Sequence, residues 1–503
     1  MNETTAPSAP ADVVPVRHKG LLTAAIMLAT TMQVLDSTIA NVALPSMRGS
    51  LGAGQDQITW VLTSYVVASA IMTPVSGWLS DRFGLRQVLL ASIVGFVAAS
   101  MACGLATGLG EMVAFRLTQG LFGASLVPLS QTVLLDINPK ERHGQAMAVW
   151  ATGVMLGPII GPTLGGWLTE SFDWRYVFFL NLPVGVLAFL GMLVFLPKVP
   201  TRRRPFDFFG FAMLSLAIGA LQLLLDRGQD LGWFSSTEIW IEAGLAFSGL
   251  WLFGFHIASA RNPFIELPVL KDRNLLSALV LAFAIGAIVL AGSALLPPML
   301  QDVLDYPVSK AGIALAPRGL GTMIAMIFVG RLAGKIDVRL LMLAGLGLTA
   351  WSFHLMTGYT NEMGEAPIVV SGIVQGFGLG MVFVPLTTLA YATLQPRYRA
   401  DAAGLFNLVR NIGSSIGISV AFAMLSRNIA ISRTEMTSRV TETTPQVLAL
   451  FKSGGFDRST LVSLLNSEIS SQATMIAYLD DFKLMMLMAL VLMPLVFFMR
   501  TQK

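Results

Sequence analysis

The chain has a single cysteine, Cys103, so no intrachain disulfide can form and dithiol redox chemistry is not indicated. Its four histidines, His18, His143, His256 and His354, are scattered without metal-ligand spacing. Neither a G-x-x-x-x-G-K-[ST] loop nor a G-x-G-x-x-G turn occurs, which argues against an ATP-driven machine. Clustered nucleophiles, bases or ligands are missing as well, so an enzyme is not expected, and no cofactor is called for. The period-two alternation of a membrane barrel is absent. Charge is scarce: 12% of the 503 residues are charged against 54% hydrophobic. That is too little to coat a soluble chain of this length.

What is present is apolar sequence in runs of roughly 18–25 residues, the length that crosses a ~30 Å hydrocarbon core as helix. Backbone groups in lipid must bond internally, so such runs are helices and the fold class is all-α polytopic membrane protein. Fourteen spans are predicted, near 21–44, 58–79, 87–107, 111–134, 145–168, 175–196, 207–225, 239–258, 275–297, 309–333, 340–358, 367–394, 402–426 and 482–499. The first run exceeds a signal-peptide core and lacks a cleavage site, so it is expected to remain as a span.

The pI of about 9.2 resembles a nucleic-acid signal, but the positions of the cations exclude that partner. Alternate loops on the N-terminal side hold twenty Lys and Arg, and the short loops opposite hold four, Arg48, Arg175, Arg227 and Lys310. This bias marks topology anchors and puts both termini in the cytoplasm. The stretch 428–480 is the one long external segment. Its Leu461, Leu465 and Ile469 recur at i+4, which predicts an amphipathic helix lying on the bilayer.

The chain also repeats itself. Gly77–Arg86 after the second span recurs as Gly330–Arg339 after the tenth; Gln119-Gly120 recurs as Gln375-Gly376; Pro139 and Arg142 recur as Pro396 and Arg399. The offsets run from 253 to 257 in the same order. The expected division is a tail 1–20, a six-helix half 21–200, two inserted spans 201–260, and a second half 261–503 with the loop 428–480. Two such halves around a cavity suit alternating access.

Within the spans, Asp36 is the most informative residue. A carboxylate at mid-span costs about 2.5–3.5 kcal/mol on insertion scales and marks a functional site. Poor hydration favours the protonated acid, which suits a proton carrier. Gln33 lies one turn earlier on the same face. Of the 33 basic residues only Arg116, Arg318 and Arg410 fall inside spans. Arg116, one turn before Gln119, could favour the ionised acid and help expel its proton. Arg410, between Asn407 and Asn411, could meet substrate, and Arg318 could snorkel near a span end. Gln33, Asn41, Gln119, Gln375, Asn407, Arg410 and Asn411 are the substrate-cavity candidates. Gly153, Gly157, Gly161 and Gly165 repeat every fourth residue, a groove for close helix approach, with Pro158 and Pro162 bending the helix. Asp81, Arg82 and Arg86, with Gly77 and the turn-forming Gly84, could latch the two halves. Simple loop anchoring is the plainer role for these charges.

These segments resemble the major facilitator superfamily over essentially the whole chain. Gly77–Arg86 is similar to its signature loop, Arg116-Leu-Thr-Gln-Gly120 to its fourth-span motif, and Gly153 through Gly166 to its antiporter motif. Leu35–Pro45, Asp226–Ser236 and the long loop resemble the fourteen-span drug:proton antiporters of the EmrB-type branch. Gly334 in place of Asp81 implies a degraded second latch. The resemblance implies a proton-coupled antiporter exporting drugs or other toxic amphipathic compounds from the bacterial inner membrane. It also implies a periplasmic membrane-fusion adaptor and a TolC-like outer-membrane channel as partners. The rivals are a proton-coupled importer of the same fold, which the span-five glycines disfavour, and a non-transporting sensor, which Asp36 and Arg116 disfavour.

Overall fold

In a computed structural model the chain is all-helical; the structure describes residues 14–201, 205–260, 263, 265–332, 336–439 and 458–499. Among the described residues, fourteen helices are long and apolar enough to cross a membrane. In chain order they are α1 (Lys19–Ser50), α2 (Trp60–Phe83), α3 (Leu85–Leu105), α4 (Leu109–Asp136) and α5 (Lys140–Ser171). Next come α6 (Tyr176–Phe195), α7 (Phe208–Arg227), α8 (Thr237–Ser259), α9 (Arg273–Val303) and α10 (Lys310–Leu332). The last are α11 (Val338–Met356), α12 (Glu365–Ala392), α13 (Pro396–Ser438) and α14 (Val462–Phe498). Each agrees in place with a predicted span, and the chain is a multi-pass membrane protein.

The same packing pattern occurs twice. Helix α1 lies on α5 and α6, and α4 on α2 and α3; α9 lies on α13 and α14, and α12 on α10 and α11. Small residues set both crossings. A Cβ on Gly157 would meet the Leu35 backbone nitrogen at 2.9 Å, and one on Gly161 the Thr38 hydroxyl at 2.3 Å. On α13, a Cβ on Gly413 or Gly417 would strike the carbonyl of Phe283 or Ala287 in α9. Pro158 and Pro162 sit inside an uninterrupted helix, His143–Ser171. Helix α7 packs on α2 and α13, and α8 packs on α7.

One expectation fails at the far end. Leu465 and Ile469 do not belong to a separate helix lying on the bilayer but to Arg458–Leu492, which is continuous with the last span. Helix α13 overshoots likewise, to Ser438. At 1.5 Å per residue both helices run on the order of 55–65 Å, far beyond the ~30 Å that the hydrocarbon requires. The extensions hold each other: Arg433 Nη2 donates to Asn466 Oδ1 at 3.0 Å, and Asn428 Nδ2 to Asp481 Oδ1 at 3.3 Å. The Leu461 side chain and residues 440–457 lie outside the described residues.

Candidate functional site

Helices α1, α2, α4 and α6 bring one polar cluster together in the first half. Asp36 and Arg116 form an ion pair, Nη1 to Oδ2 at 2.7 Å, with both residues fully buried. The same guanidinium nitrogen donates to Gln119 Oε1 at 2.7 Å, while Gln119 Nε2 donates to Asp36 Oδ1 at 2.9 Å. Arg116 Nε donates to the Val61 carbonyl at 3.1 Å, and its guanidinium stands 4.4 Å over the Tyr65 ring. Two partners were not visible in the sequence. Asn181 Nδ2 donates to Asp36 Oδ1 at 2.7 Å and to Ser100 Oγ at 2.8 Å. Asn181 stands in the second turn of α6, where a lone Asn in an apolar run carries no signal of its own.

A buried ion pair of this kind repays its desolvation only when additional hydrogen bonds complete it. Here Gln119, Asn181 and the Val61 carbonyl supply them and the Tyr65 ring covers the guanidinium, while Arg116 Nη2 is buried without a hydrogen bond. Protonating Asp36 would cancel one charge and leave Arg116 buried on a carbonyl and an aromatic face.

The remaining cavity candidates scatter. Gln33 is buried on the Asp36 face of α1, but Asn41 and Asn411 are exposed and outside the cluster. Asn407 in α13 donates to Gln131 Oε1 of α4 at 3.0 Å, a bond between halves. Gln375 is fully buried with neither amide atom bonded. Arg318 does not snorkel at a span end; it lies within α10 and donates to the Val289 carbonyl at 3.3 Å.

The halves meet at the face where α1 begins and α14 ends, called here the terminal face. Arg399 Nη1 donates to Asp136 Oδ1 at 2.6 Å, Tyr391 Oη donates to Gln131 at 3.2 Å, and Trp150 stacks on Phe383. Gly77 is where α13 comes closest, because a Cβ there would strike the Asp401 carboxylate. Gly84 has φ +90°, the left-handed turn between α2 and α3. Arg86 donates to the Leu193 carbonyl of its own half, as Arg339 does to the Met499 carbonyl of the other. Arg399 to Asp136 is an arginine bond between the halves, while Arg82 is exposed and Asp81 half-buried. Gly334 lies outside the described residues. In the sequence Arg399 is a topology anchor and the repeat of Arg142, and Asp136 carries no signal; only the fold shows that they face each other.

A family model described as Major Facilitator Superfamily matches residues 26–418. The chain is 36% identical over 490 residues to "Multidrug export protein EmrB" of Escherichia coli (strain K12), covering 95% of this chain and 94% of that one. It is 34% identical to "Fatty acid resistance protein FarB" of Neisseria gonorrhoeae, covering 96% and 97%. Among solved structures, the human organic anion transporter MFSD10 (TETRAN) superposes with a TM-score of 0.62 at 16% identity, covering 93% of this chain and 99% of that one, which speaks to fold alone. The chain belongs to the major facilitator superfamily and is similar throughout its length to EmrB-type export proteins.

Proposed function

We propose that this member of the major facilitator superfamily is a proton-coupled antiporter that exports drugs or other toxic amphipathic compounds across the bacterial inner membrane. The observation that carries the reading is the buried Asp36–Arg116 pair with its Gln119 and Asn181 donors. A proton arriving at Asp36 neutralises the carboxylate and releases Arg116 from the ion pair. The α1–α4 contact then loosens, and the equilibrium between conformations shifts by the differential stability of the two protonation states. Reformation of the pair expels the proton on the other side. The relatives' names, multidrug export and fatty acid resistance, support an amphipathic cargo.

With the termini in the cytoplasm, as the Lys and Arg bias indicates, the terminal-face contacts close the inner side and this conformation faces outward. Delivery beyond the periplasm would use a membrane-fusion adaptor and a TolC-like outer-membrane channel. The test is dye efflux from proteoliposomes under an imposed pH gradient. Wild-type chain should move dye against its gradient, and Asp36→Asn at equal reconstitution should not. Normal gradient-driven efflux by Asp36→Asn would overturn the reading.

A further inference from the structure

Arg318 and Arg410 are cations inside the spans that take part in no ion pair among the described residues, whereas Arg116, Arg227, Lys310 and Arg399 each meet a carboxylate. Arg318 holds only the Val289 carbonyl, at 3.3 Å, and the Arg410 guanidinium stands 5.6 Å from the Phe383 ring centre. Both stand against α9 within one turn. A Cβ on Gly286 would lie 3.4 Å from Arg410 Cγ, and Val289 follows three residues later. Both arginines are half-buried. The third member is Gln375, fully buried with both amide atoms unbonded. Its neighbours Gly372 and Gly376 pack on the Arg318 backbone.

An unpaired charge within a membrane span is costly, and two like charges near one helix turn add repulsion. A guanidinium in that setting is satisfied by water, an internal acid or a bound anion. The chain places no acid here: the stretch equivalent to Asp36 is Ile288-Val289-Leu290. A buried amide with both a free donor and a free acceptor is a second group awaiting a polar partner. The guanidinium fork suits a planar carboxylate, and the Phe383 ring offers an apolar wall beside it.

We propose that Arg318, Arg410 and Gln375 form a subsite for the deprotonated acid group of an amphipathic substrate. This rests on the export reading and gives that exporter a preference for organic acids over neutral or cationic compounds of equal size. A proton moving inward and an anion moving outward carry charge in the same sense, so membrane potential assists the cycle for an acid more than for its amide.

The test is equilibrium binding to the full chain in nanodiscs, with 2-naphthoate, 2-naphthamide and 2-naphthylmethylammonium as matched probes. Wild type should bind the carboxylate at least about tenfold more tightly than the amide, the scale of a charge-assisted hydrogen bond. Arg318→Gln and Arg410→Gln should each remove about tenfold of naphthoate affinity on the same basis, and the double variant should abolish the preference. Arg410→Lys should retain part of it, since the charge stays and the fork is lost. Naphthamide binding within about twofold of wild type certifies that each variant is folded, because that probe makes no charge-assisted bond. No carboxylate preference in wild type, or a preference that survives in the double variant, would overturn the subsite. Binding needs no proton gradient. An intact carboxylate preference with no gradient-driven flux of any probe would therefore count against the export reading and support the subsite.

Discussion

The two six-helix bundles share a scaffold and differ in how they handle charge. In the first, a Cβ on Gly120 of α4 would strike the Tyr65 carbonyl of α2; in the second, a Cβ on Gly376 of α12 would strike the Arg318 carbonyl of α10. The Gly157 and Gly161 crossing on α1 reappears as Gly413 and Gly417 on α9. Yet Arg116 corresponds to Gly372, Tyr65 to Arg318, and Asp36 to the Ile288–Leu290 stretch at the repeat offsets. Among the described residues, one bundle closes its inner cation Arg116 on an acid, and the other leaves Arg318 and Arg410 without one. Packing was duplicated, whereas the paired charge belongs to one copy, so the two roles of an exchanger can reside in separate halves.

The sharpest way to break this contrast is to remove the pair. Asp36→Asn should reduce gradient-driven efflux to background with the protein still inserted, measured as dye flux at matched reconstitution. Arg116→Ala strands a buried carboxylate and should also destabilise the fold by about 3–5 kcal/mol, seen as a lowered midpoint of thermal unfolding. Arg116→Lys keeps the charge but loses the fork that serves Val61, Asp36 and Gln119 together, so partial flux is expected. Substitutions at Arg318 should leave the pH dependence of neutral dye efflux unchanged. A loss there equal to that of Asp36→Asn would show that the halves do not divide the work.

The shared scaffold predicts equal sensitivity where the charge predicts unequal. Gly157→Leu and Gly413→Leu each drive a side chain into the facing backbone, at sites where even a Cβ would come within 2.9 and 2.2 Å of it. Overpacking costs typically about 1–3 kcal/mol, and both variants should slow transport several-fold, while Leu156→Ala stays near wild type. Flux in Gly413→Leu indistinguishable from wild type would mean that only the first crossing is tight in function.

Much of this was legible in the residues, for identifiable reasons. Asp36, Arg116 and Gln119 stand out because polar groups in apolar runs have few structural excuses. The α1–α5 crossing is readable because four glycines keep a four-residue period beside two prolines; Gly413 and Gly417 keep the same spacing but form only one such pair, with no proline beside them. Asn181, Ser100 and Tyr65 were not legible as site residues, since each is ordinary in a span and becomes special only when α2, α3 and α6 converge on α1. Arg318 turns inward to the Val289 carbonyl rather than to a span end, because distance from a predicted span end does not fix where a long side chain turns. The overshoot of α13 and α14 was hidden because polar helix and polar loop share a composition, and only the partner extension decides between them.

A smaller effect tests the seam between the bundles. Asp136→Asn replaces the charged partner of Arg399 by a neutral amide and should weaken the terminal-face contact by about 1.5–3 kcal/mol. A cysteine introduced at Ser76, which is fully buried, should then react faster with a membrane-impermeant maleimide. Unchanged labelling would assign the closure to the Gly77–Asp401 and Asn407–Gln131 contacts instead.

The smallest effect on transport itself is expected where neither bundle reaches. Beyond the hydrocarbon thickness, the α13 and α14 extensions contact each other through Arg433–Asn466 and Asn428–Asp481. Val462 and Leu464 are 54% and 49% exposed on the α14 extension. Apolar side chains held out on an ordered projection are suited to a protein partner, and the proposed partner is the periplasmic adaptor. The double substitution Val462→Glu with Leu464→Glu should leave proteoliposome efflux within about twofold of wild type, because surface changes usually alter stability by less than ~0.5 kcal/mol. The same variant should lose adaptor pull-down and drug resistance in a pump-deficient host, since like charge on a docking face costs several kcal/mol. Lost efflux in proteoliposomes would place these residues in the exchange cycle instead. Undiminished resistance together with normal pull-down would remove the extension as the docking surface, and leave the two bundles alone to account for export.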